Sequence, residues 1–596
     1  MIYGMCKYPP VEVLAGFGEE YAMIEPSSEA FPHAEAFGHP NLCGYGKGMI
    51  EAAFSEHMDE IILVNCCDVV RRVYDILKKE LKPSFIFLLD LPHKRGPADQ
   101  KRFAAEIGRL IREYSAYSGK AFYFNAAYDA LLTQSRAGDA WHSSPGCAEY
   151  VGACGDAEDA VAAGRSEMAA ASSGGVAATA EGVASTPVRT PFISLSGAHG
   201  GSALADRIAA HLTIPVRDDT CSGNRFVSAD FEKPASADNF LAGYAKALLC
   251  QTPCMRMDDV AGRGGISEGA AGVIYHTMKF CDYYGFEYAS VQTCDGRPVL
   301  KIETDGTAQS GGQLETRIEA FAESIGKERR TGGNMDVKDI KYAAGIDSGS
   351  TSTEAVIMDR DKNIVACSVI STGSGAAAGA ERALAEALTK AGLSRGDVGK
   401  VVSTGYGRST IGLGDESITE ITCHARGAHF LSPDVRTIVD IGGQDSKVIV
   451  LGDDGGVVNF TMNDKCAAGT GRFLEMMART LELSMEDMSR LGLEWKNDVH
   501  ISSMCTVFAE SEVVSLIAQN TPVPDIIHGL NKAIASRITA MVKRMNGKAP
   551  YMMTGGVALN KGVVSCMGKE LNAKITVSPY AQLCGAIGAC LLAFEE

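Results

Sequence analysis

Gly345-Ile-Asp347-Ser-Gly349-Ser-Thr351-Ser-Thr353, answered further on by Asp440-Ile-Gly442-Gly-Gln444-Asp-Ser-Lys447, decides how the second half of this chain folds. Each stretch is a glycine turn with a carboxylate just before it, placed where a probable strand ends. Triphosphate binding needs backbone amides that reach the oxygens with no side chain in the way, and a carboxylate to hold Mg²⁺ directly or through water. Gly349 with Ser350, Thr351 and Thr353 supplies amides and hydroxyls, and Asp347 supplies the carboxylate. Gly442, Gly443 and Asp440 repeat the provision, and Thr554-Gly-Gly-Val-Ala-Leu-Asn560 offers a flat glycine surface for a nucleobase. One such turn says little, but three in this order over Tyr342 to Glu596 suggest two similar half-domains facing a cleft. Neither a Gly-x-x-x-x-Gly-Lys-Ser/Thr loop nor a good Gly-x-Gly-x-x-Gly fingerprint competes with this reading.

Within the same half, Asn463-Asp-Lys-Cys466-Ala-Ala-Gly-Thr-Gly-Arg472 and Ser502-Ser-Met-Cys505-Thr-Val-Phe-Ala-Glu510 each carry one cysteine beside a probable helix start. The surrounding Gly, Ala and Ser residues let the sulfur reach out of the surface. Two cysteines are half of what an iron–sulfur cube needs. The other half is expected from a second copy of the chain.

A length of 596 residues suggests roughly three or four domains of about 150 residues. The 46% hydrophobic and 22% charged content allows each a core. A net charge of −17 without a Lys/Arg cluster argues against nucleic acid and anionic membrane as partners. There is no apolar run of about 18 residues, and Met1-Ile-Tyr-Gly-Met-Cys6 does not read as a signal, so a cytoplasmic protein is expected. In that setting eighteen cysteines read as thiols or metal ligands rather than disulfides.

The fold expected is α/β, with two flavodoxin/Rossmann-like parallel-sheet units followed by the two-lobed nucleotide domain. Residues 1–142 alternate buried runs (Ile61 to Val64, Phe85 to Leu89) with helical stretches (Val69 to Glu80, Asp99 to Ser115). Cys66 and Cys67 follow the first run, which sets them in the crevice beyond the strand ends. Residues 143–189 are an Ala/Gly/Ser-rich linker or insertion whose Cys147 and Cys154 are not expected to be ligands. Residues 190–327 form the second unit, with strands at Phe192 to Leu195, Gly272 to Tyr275 and Val299 to Ile302, and a last helix opening at Gly311. Residues 328–341 are a joint, and 342–596 the nucleotide domain. A core role stands beside ligation for any single thiol. Cys250, Cys294, Cys367, Cys423, Cys566, Cys584 and Cys590 read as structural, and His33 and His39, near Cys43, as hydrogen-bonded histidines rather than ligands.

Six pieces of residues 342–596 carry a resemblance: Gly345 to Thr353, Ser403-Thr-Gly-Tyr-Gly-Arg408, Asp440 to Lys447, Asn463 to Phe473, Cys505-Thr-Val-Phe-Ala-Glu-Ser-Glu512 and Thr554-Gly-Gly-Val557. They resemble the activator ATPases of 2-hydroxyacyl-CoA dehydratases and benzoyl-CoA reductases, within the acetate kinase, Hsp70 and actin superfamily. The resemblance implies Asp347, Asp440 and Gln444 as catalytic. It implies Ser348, Gly349, Ser350, Thr351, Thr353, Gly442, Gly443, Lys447, Gly555, Gly556 and Asn560 as nucleotide-binding. It also implies ATP or ADP with Mg²⁺, and a homodimer holding one [4Fe–4S] cluster through Cys466 and Cys505 of each chain.

The first 330 residues resemble the electron-accepting components those activators serve, through Tyr3-Gly-Met-Cys6-Lys-Tyr-Pro-Pro-Val-Glu12, Asn41-Leu-Cys43-Gly-Tyr-Gly-Lys47, Asn65-Cys-Cys67-Asp-Val-Val-Arg-Arg72, Phe280-Cys281-Asp and Leu314-Glu-Thr-Arg-Ile-Glu-Ala-Phe321. A dehydratase subunit needs about three cysteines for one cube. Here there are Cys6, Cys43 and Cys67, then Cys221, Cys254 and Cys281. Six ligands are similar to the double-cubane proteins, whose two cubes share a sulfide in an [8Fe–9S] centre; two separate [4Fe–4S] cubes are the alternative. Cys67 is preferred to Cys66 because it precedes Asp68 as the resemblance implies. The function implied is an ATP-dependent iron–sulfur reductase that accepts electrons from a ferredoxin- or flavodoxin-type donor and reduces a small molecule. A dehydratase with its activator fused, or an electron-donating ATPase whose first half only docks a partner, are the rival readings.

Overall fold

The computed structural model describes residues 1–25, 30–142, 191–223, 225–251, 253–257, 263, 269–291, 297–305, 311–325, 340–373, 375–463, 467–501 and 506–595. Cys147, Cys154, Cys294, Cys466 and Cys505 lie outside them, as does nearly all of the expected linker. The chain forms two compact units, Met1–Leu314 and Glu315–Glu596.

The first unit holds two four-stranded sheets of one design. β1 (Ile2–Gly4), β2 (Tyr21–Met23), β3 (Glu60–Val64) and β4 (Phe85–Leu89) pair in the order β2-β1-β3-β4, every pair parallel. β5 (Ile193–Gly197), β6 (Val216–Thr220), β7 (Gly272–Met278) and β8 (Val299–Thr304) pair in the order β6-β5-β7-β8, again all parallel. In both sheets the order reverses between the first and third strands, where open α/β sheets open a crevice. The central strands are the continuous apolar runs that sequence makes visible. The edge strands differ: β4 is as apolar, Phe-Ile-Phe-Leu-Leu, whereas β6 is Val-Arg-Asp-Asp-Thr, a polar stretch tolerated because one side of it is open.

The two sheets share one core. Phe240, Tyr244, Leu248, Leu249, Tyr275 and Tyr284 of the second half pack with Ile61 to Val64, Phe87, Phe103 and Ile107 of the first. Each such side chain contributes roughly 1.5–3 kcal/mol on burial. A buried ion pair pins them together: Arg225 Nη1 and Nη2 donate to Glu12 Oε1 and Oε2 at 2.7 Å each, and Tyr244 donates to the same carboxylate at 2.5 Å.

The second unit has two five-stranded sheets, also of one design. β9 (Tyr342–Ser348), β10 (Ser352–Asp359), β11 (Ile364–Ser371), β12 (Val398–Thr404) and β13 (Glu416–Ser417) run in the order β11-β10-β9-β12-β13. β14 (Thr437–Ile441), β15 (Ser446–Leu451), β16 (Val457–Asn463), β17 (Tyr551–Thr554) and β18 (Ile575–Val577) run in the order β16-β15-β14-β17-β18. Each begins with an antiparallel meander and adds two parallel strands. This is the pair of similar half-domains expected from the paired glycine turns.

The helix Gly311–Ile325, assigned from sequence to the second sheet unit, belongs from Glu315 onward to the second compact unit. There Arg408 pairs with Glu319 at 2.5 Å, and Thr419 and Thr422 donate to Glu323 at 2.5 Å each.

Candidate functional site

In the second unit the duplication extends to single residues. Asp347 is the penultimate residue of β9 and Asp440 of β14. Thr404 at the end of β12 pairs with Asp347, and Thr554 at the end of β17 with Asp440. A positive-φ glycine follows each threonine, Gly405 at +87° and Gly555 at +81°. A Cβ on Gly405 would stand 2.5 Å from Asp347 Oδ1, and one on Gly555 2.8 Å from Asp440 Oδ1. Only glycine meets both the backbone and the space requirement. The turns match too: Gly349 N donates to Ser352 O and Gly442 N to Asp445 O, both at 3.0 Å. The turns also approach each other, since a Cβ on Gly443 would stand 2.1 Å from Thr351 Oγ1.

Across the hairpins the symmetry breaks in charge. Asp347 faces Glu354, while Asp440 faces Lys447. Burial and then Asp347 raise Glu354 to about 8, with Gln582 Nε2 bonded to it at 3.2 Å. Burial alone would raise Asp440, but His424 and Lys447 hold it below the usual carboxylate range. Lys447 is buried among Asp445 at 2.8 Å, Asp440 at 3.3 Å and Glu420 at 3.4 Å, and those carboxylates more than offset the burial that would lower it.

His424 stands between the two aspartates, Nε2 3.6 Å from Asp347 Oδ2 and Nδ1 3.6 Å from Asp440 Oδ1. Burial opposes its charge, yet Asp440, then Asp347 and Cys584, keep it well above the ordinary imidazole range. It reaches this place because the helices Glu420–Leu431 and Cys584–Leu592 touch backbone to backbone: a Cβ on Gly588 would stand 1.7 Å from Cys423 O, and one on Gly427 2.0 Å from Cys584 O. Sequence reading missed His424, Glu354 and Glu420. The signal lay in Gly427 and Gly588, but pairing them needs the fold.

The other predicted nucleotide residues divide. Ser348 and Thr353 are buried, and Thr353 bonds Thr372 at 2.9 Å. Ser350, Thr351, Gln444 and Gly556 are exposed around the cleft turns. Asn560 caps the helix Lys561–Leu571, its Oδ1 accepting from Gly562 N at 2.9 Å and Val563 N at 3.1 Å. The second turn is also bonded onward. Gly471 N donates to Gly442 O and Arg472 N to Gly443 O, both at 2.8 Å, at the start of the helix Gly471–Thr480.

In the first unit the cysteines stand at strand ends and helix starts. Cys6 follows β1 with φ +70°, Cys66 and Cys67 follow β3, Cys221 follows β6, and Cys281 follows β7. Cys43 and Cys67 cap the helices Gly44–Ser55 and Asp68–Ile76. All seven thiols, Cys254 included, are free. Burial, then Cys281 and Cys67, push Cys43 up to about 12, and burial, then Cys254, does the same to Cys6. Burial with Cys6, Cys281 and Cys254 raises Cys221, while Cys67 acts on Cys281. The thiols thus act on one another across both sheet halves: Cys281 and Cys67 on Cys43, Cys254 on Cys6, and Cys6, Cys281 and Cys254 on Cys221. Cys67 alone is lowered, to about 7, by a hydrogen bond with Cys66 that burial opposes; the same bond raises Cys66. Among the described residues no group of three or more His, Cys, Asp or Glu side chains forms a site for a single metal ion.

The donor set fits an iron–sulfur cluster. Thiolates on a cluster's corners stand farther apart than the ligands of one ion, and soft sulfur suits iron. Burial, then the neighbouring thiols, raise the phenols above their ordinary range: Cys254 and Cys6 act on Tyr8, Cys6 on Tyr21, and Cys221 and Cys6 on Tyr45. The histidines near Cys43 are hydrogen-bonded: His33 Nδ1 meets Glu51 at 2.8 Å, and His39 Nδ1 accepts from Asn41 N at 3.1 Å. Of the described cysteines read as structural, Cys423, Cys566, Cys584 and Cys590 are buried in the second unit, where Cys590 Sγ donates to Ala343 O at 3.2 Å, and Cys367 is half-buried. Cys250, at the end of the helix Ala237–Cys250 in the first unit, is disulfide-bonded, a correction to the expectation of thiols alone.

Comparison with known proteins follows this geometry. Residues 6–325 match the family described as 2-hydroxyglutaryl-CoA dehydratase, D-component, and residues 344–593 the BadF/BadG/BcrA/BcrD ATPase family. The 2-hydroxyisocaproyl-CoA dehydratase activator of Clostridioides difficile is 47% identical over 255 residues, 43% of this chain and 96% of that protein. The (R)-2-hydroxyglutaryl-CoA dehydratase activating ATPase of Acidaminococcus fermentans is 44% identical over 256 residues, 43% of this chain and 98% of its own length. The solved structure of the Acidaminococcus fermentans dehydratase component A covers 43% of this chain and 98% of its own, at 45% identity and a TM-score of 0.42. The chain therefore belongs to the 2-hydroxyglutaryl-CoA dehydratase D-component family, with an activator-type ATPase of the BadF/BadG/BcrA/BcrD family fused behind it on the same polypeptide.

Proposed function

We propose that this chain is an ATP-dependent iron–sulfur reductase in which the second unit drives electrons into a centre held by the first. The observation that supports the reading is that Cys6, Cys66, Cys67, Cys221 and Cys281 follow strands β1, β3, β6 and β7 of two sheets that share one core, with Cys43 and Cys254 buried in that core. Those residues would hold a double-cubane [8Fe–9S] centre or two [4Fe–4S] cubes; bound there, such a centre supplies low-potential one-electron chemistry.

The chain's own residues define the nucleotide's part. The turns after β9 and β14 offer amides to the phosphates, and Asp347 and Glu354 form a carboxylate pair whose repulsion a Mg²⁺ ion would relieve. Lys447 and His424 supply positive charge on the Asp440 side. A change in the phosphates at the Gly442–Gly443 turn is passed on through its two hydrogen bonds to Gly471 and Arg472, five and six residues after Cys466. Cys466 and Cys505 would share a [4Fe–4S] cluster with a second copy. The helix Thr506–Ala518, starting one residue after Cys505, supports a homodimer because Val507, Phe508, Val514 and Ile517 are exposed along it. A ferredoxin- or flavodoxin-type protein would supply the electrons. No described helix is long and apolar enough to cross a membrane.

The named dehydratase activators among the relatives favour one second reading, dehydration of a 2-hydroxyacyl-CoA thioester by the first unit. An assay with such thioesters, ATP and reductant separates the two: turnover of a thioester to its enoyl product supports the dehydratase, and ATP-dependent reduction of a small molecule without it supports the reductase. In either case, Cys43→Ala with Cys281→Ala in one protein strips iron from the first unit. Unchanged iron content in that variant leaves the first unit a docking module.

A further inference from the structure

Four phenols in the first unit are buried without a hydrogen-bond partner: Tyr8, Tyr21, Tyr45 and Tyr284. Other buried tyrosines of the unit are paired, Tyr114 with Glu60, Tyr244 with Glu12 and Tyr275 with Glu287. Leaving a buried hydroxyl unbonded is expensive, so native proteins rarely do it. Tyr8, Tyr45 and Tyr284 belong to the core cluster that also contains Cys6, Cys43 and Cys254, and Tyr21 packs against it. Three of them keep step with candidate ligands in the sequence: Cys6-Lys-Tyr8, Cys43-Gly-Tyr45 and Cys281-Asp-Tyr-Tyr284. The fourth lies across the strand that leads to Cys6, since a Cβ on Gly4 would stand 2.7 Å from Tyr21 Oη.

Two of these rings are fixed. The Tyr45 ring lies against His199 at a tilt of 36° with centroids 3.9 Å apart, and its amide donates to Met278 Sδ at 2.9 Å. Tyr284 accepts through its carbonyl from Tyr275 at 3.2 Å and lies under the Arg263 guanidinium. These contacts hold Tyr45 and Tyr284 while leaving their hydroxyls without an acceptor from the chain.

Resting on the cluster reading above, we propose that Tyr8, Tyr21, Tyr45 and Tyr284 are hydrogen-bond donors to the electron-rich sulfur of the group bound by the first-unit cysteines. A neutral O–H pointing at sulfide or thiolate stabilises added electron density without adding a charge, and hydrogen bonds to sulfur tune the potential of iron–sulfur groups. The phenols are positioning residues: they make the first-unit centre easier to reduce than its thiolates alone would allow.

The test uses the full chain, purified anaerobically, with Tyr8→Phe, Tyr21→Phe, Tyr45→Phe and Tyr284→Phe made singly and Tyr114→Phe as the paired-phenol control. Iron content and the EPR-monitored reduction midpoint are measured on each. The expected result is wild-type iron with a midpoint shifted to more negative potential in the four variants and unmoved in the control. In deuterated buffer, ENDOR on the reduced wild-type protein should detect exchangeable deuterons coupled to the first-unit centre, one fewer in each variant. That measurement decides for any position whose variant loses iron. Full iron loading with unmoved midpoints and unchanged deuteron couplings overturns the proposal alone. Wild-type protein without first-unit iron overturns the cluster reading and this one with it.

Discussion

Asp347 and Asp440 are the same residue of two lobes, and one imidazole, His424, stands 3.6 Å from both. Two buried carboxylates brought this close repel, and the histidine's charge holds them together until a nucleotide and its metal arrive. His424→Ala should therefore lower ATP turnover on the order of 10²-fold, as removal of a fixed charge at a phosphoryl site does. The folded imidazole is raised above its unfolded value. Its stabilisation is thus fully present below the unfolded pKa and lost as pH rises through the folded one. Nucleotide-free melting curves should show the gap between wild type and His424→Gln closing toward alkaline pH.

Glu354 gives the same sign for a different reason, because here burial disfavours the charged form. Its folded pKa is about 8, above that of an unfolded glutamate, because it is buried against Asp347. Between those values the folded state holds more protons, so stability falls as pH rises until about pH 8. Glu354→Gln should remove that fall, gaining on the order of 1–3 kcal/mol at pH 8 by chemical denaturation without Mg²⁺. If Glu354 joins Asp347 at the metal, the same variant raises the Mg²⁺ concentration needed for half-maximal ATP hydrolysis.

Gly405 and Gly555 test the duplication. Alanine at either has a positive φ to bear and a Cβ pressed on an aspartate oxygen, 2.5 Å and 2.8 Å away. Each should destabilise the second unit by about 1–3 kcal/mol and weaken ATP binding, read by calorimetry. The iron of the first unit should be unaffected.

Arg225→Ala leaves the buried Glu12 carboxylate with Tyr244 alone, and should cost about 3–5 kcal/mol. Burial works against the Glu12 charge, but Arg225 holds its pKa below the usual range. Stability from this pair is therefore present above the unfolded pKa and lost as pH falls through the folded one. Because Arg225 Nε also donates to Lys7 O at 3.1 Å, beside Cys6, the variant should retain less iron. Denaturation across acid pH and iron assay check both effects.

What sequence made legible follows from where side chains are sufficient information. Runs such as Ile61 to Val64 announce a central parallel strand because both faces are buried, and the glycine turns announce the lobes because φ and close approach restrict the residue. Val216–Thr220 was missed because an edge strand obeys no such restriction. The cysteines were visible as a set, but not which of them act on one another. Cys281 acts on Cys43 and Cys67 only because two sheet edges meet over a shared core, a relation between residues far apart in the chain. His424 escaped for the same reason, since helix contacts at Gly427 and Gly588 deliver it.

The central claim is that the first unit holds an iron–sulfur centre served by an ATPase on the same chain. An anomalous difference map at the iron edge, from anaerobically grown crystals of the whole protein, tests it most directly. The account predicts iron density in the first unit beside Cys6, Cys43, Cys67, Cys221, Cys254 and Cys281, with a total of about ten irons per chain when half of a shared four-iron cluster is counted. A map with no iron peak among those six cysteines would contradict it.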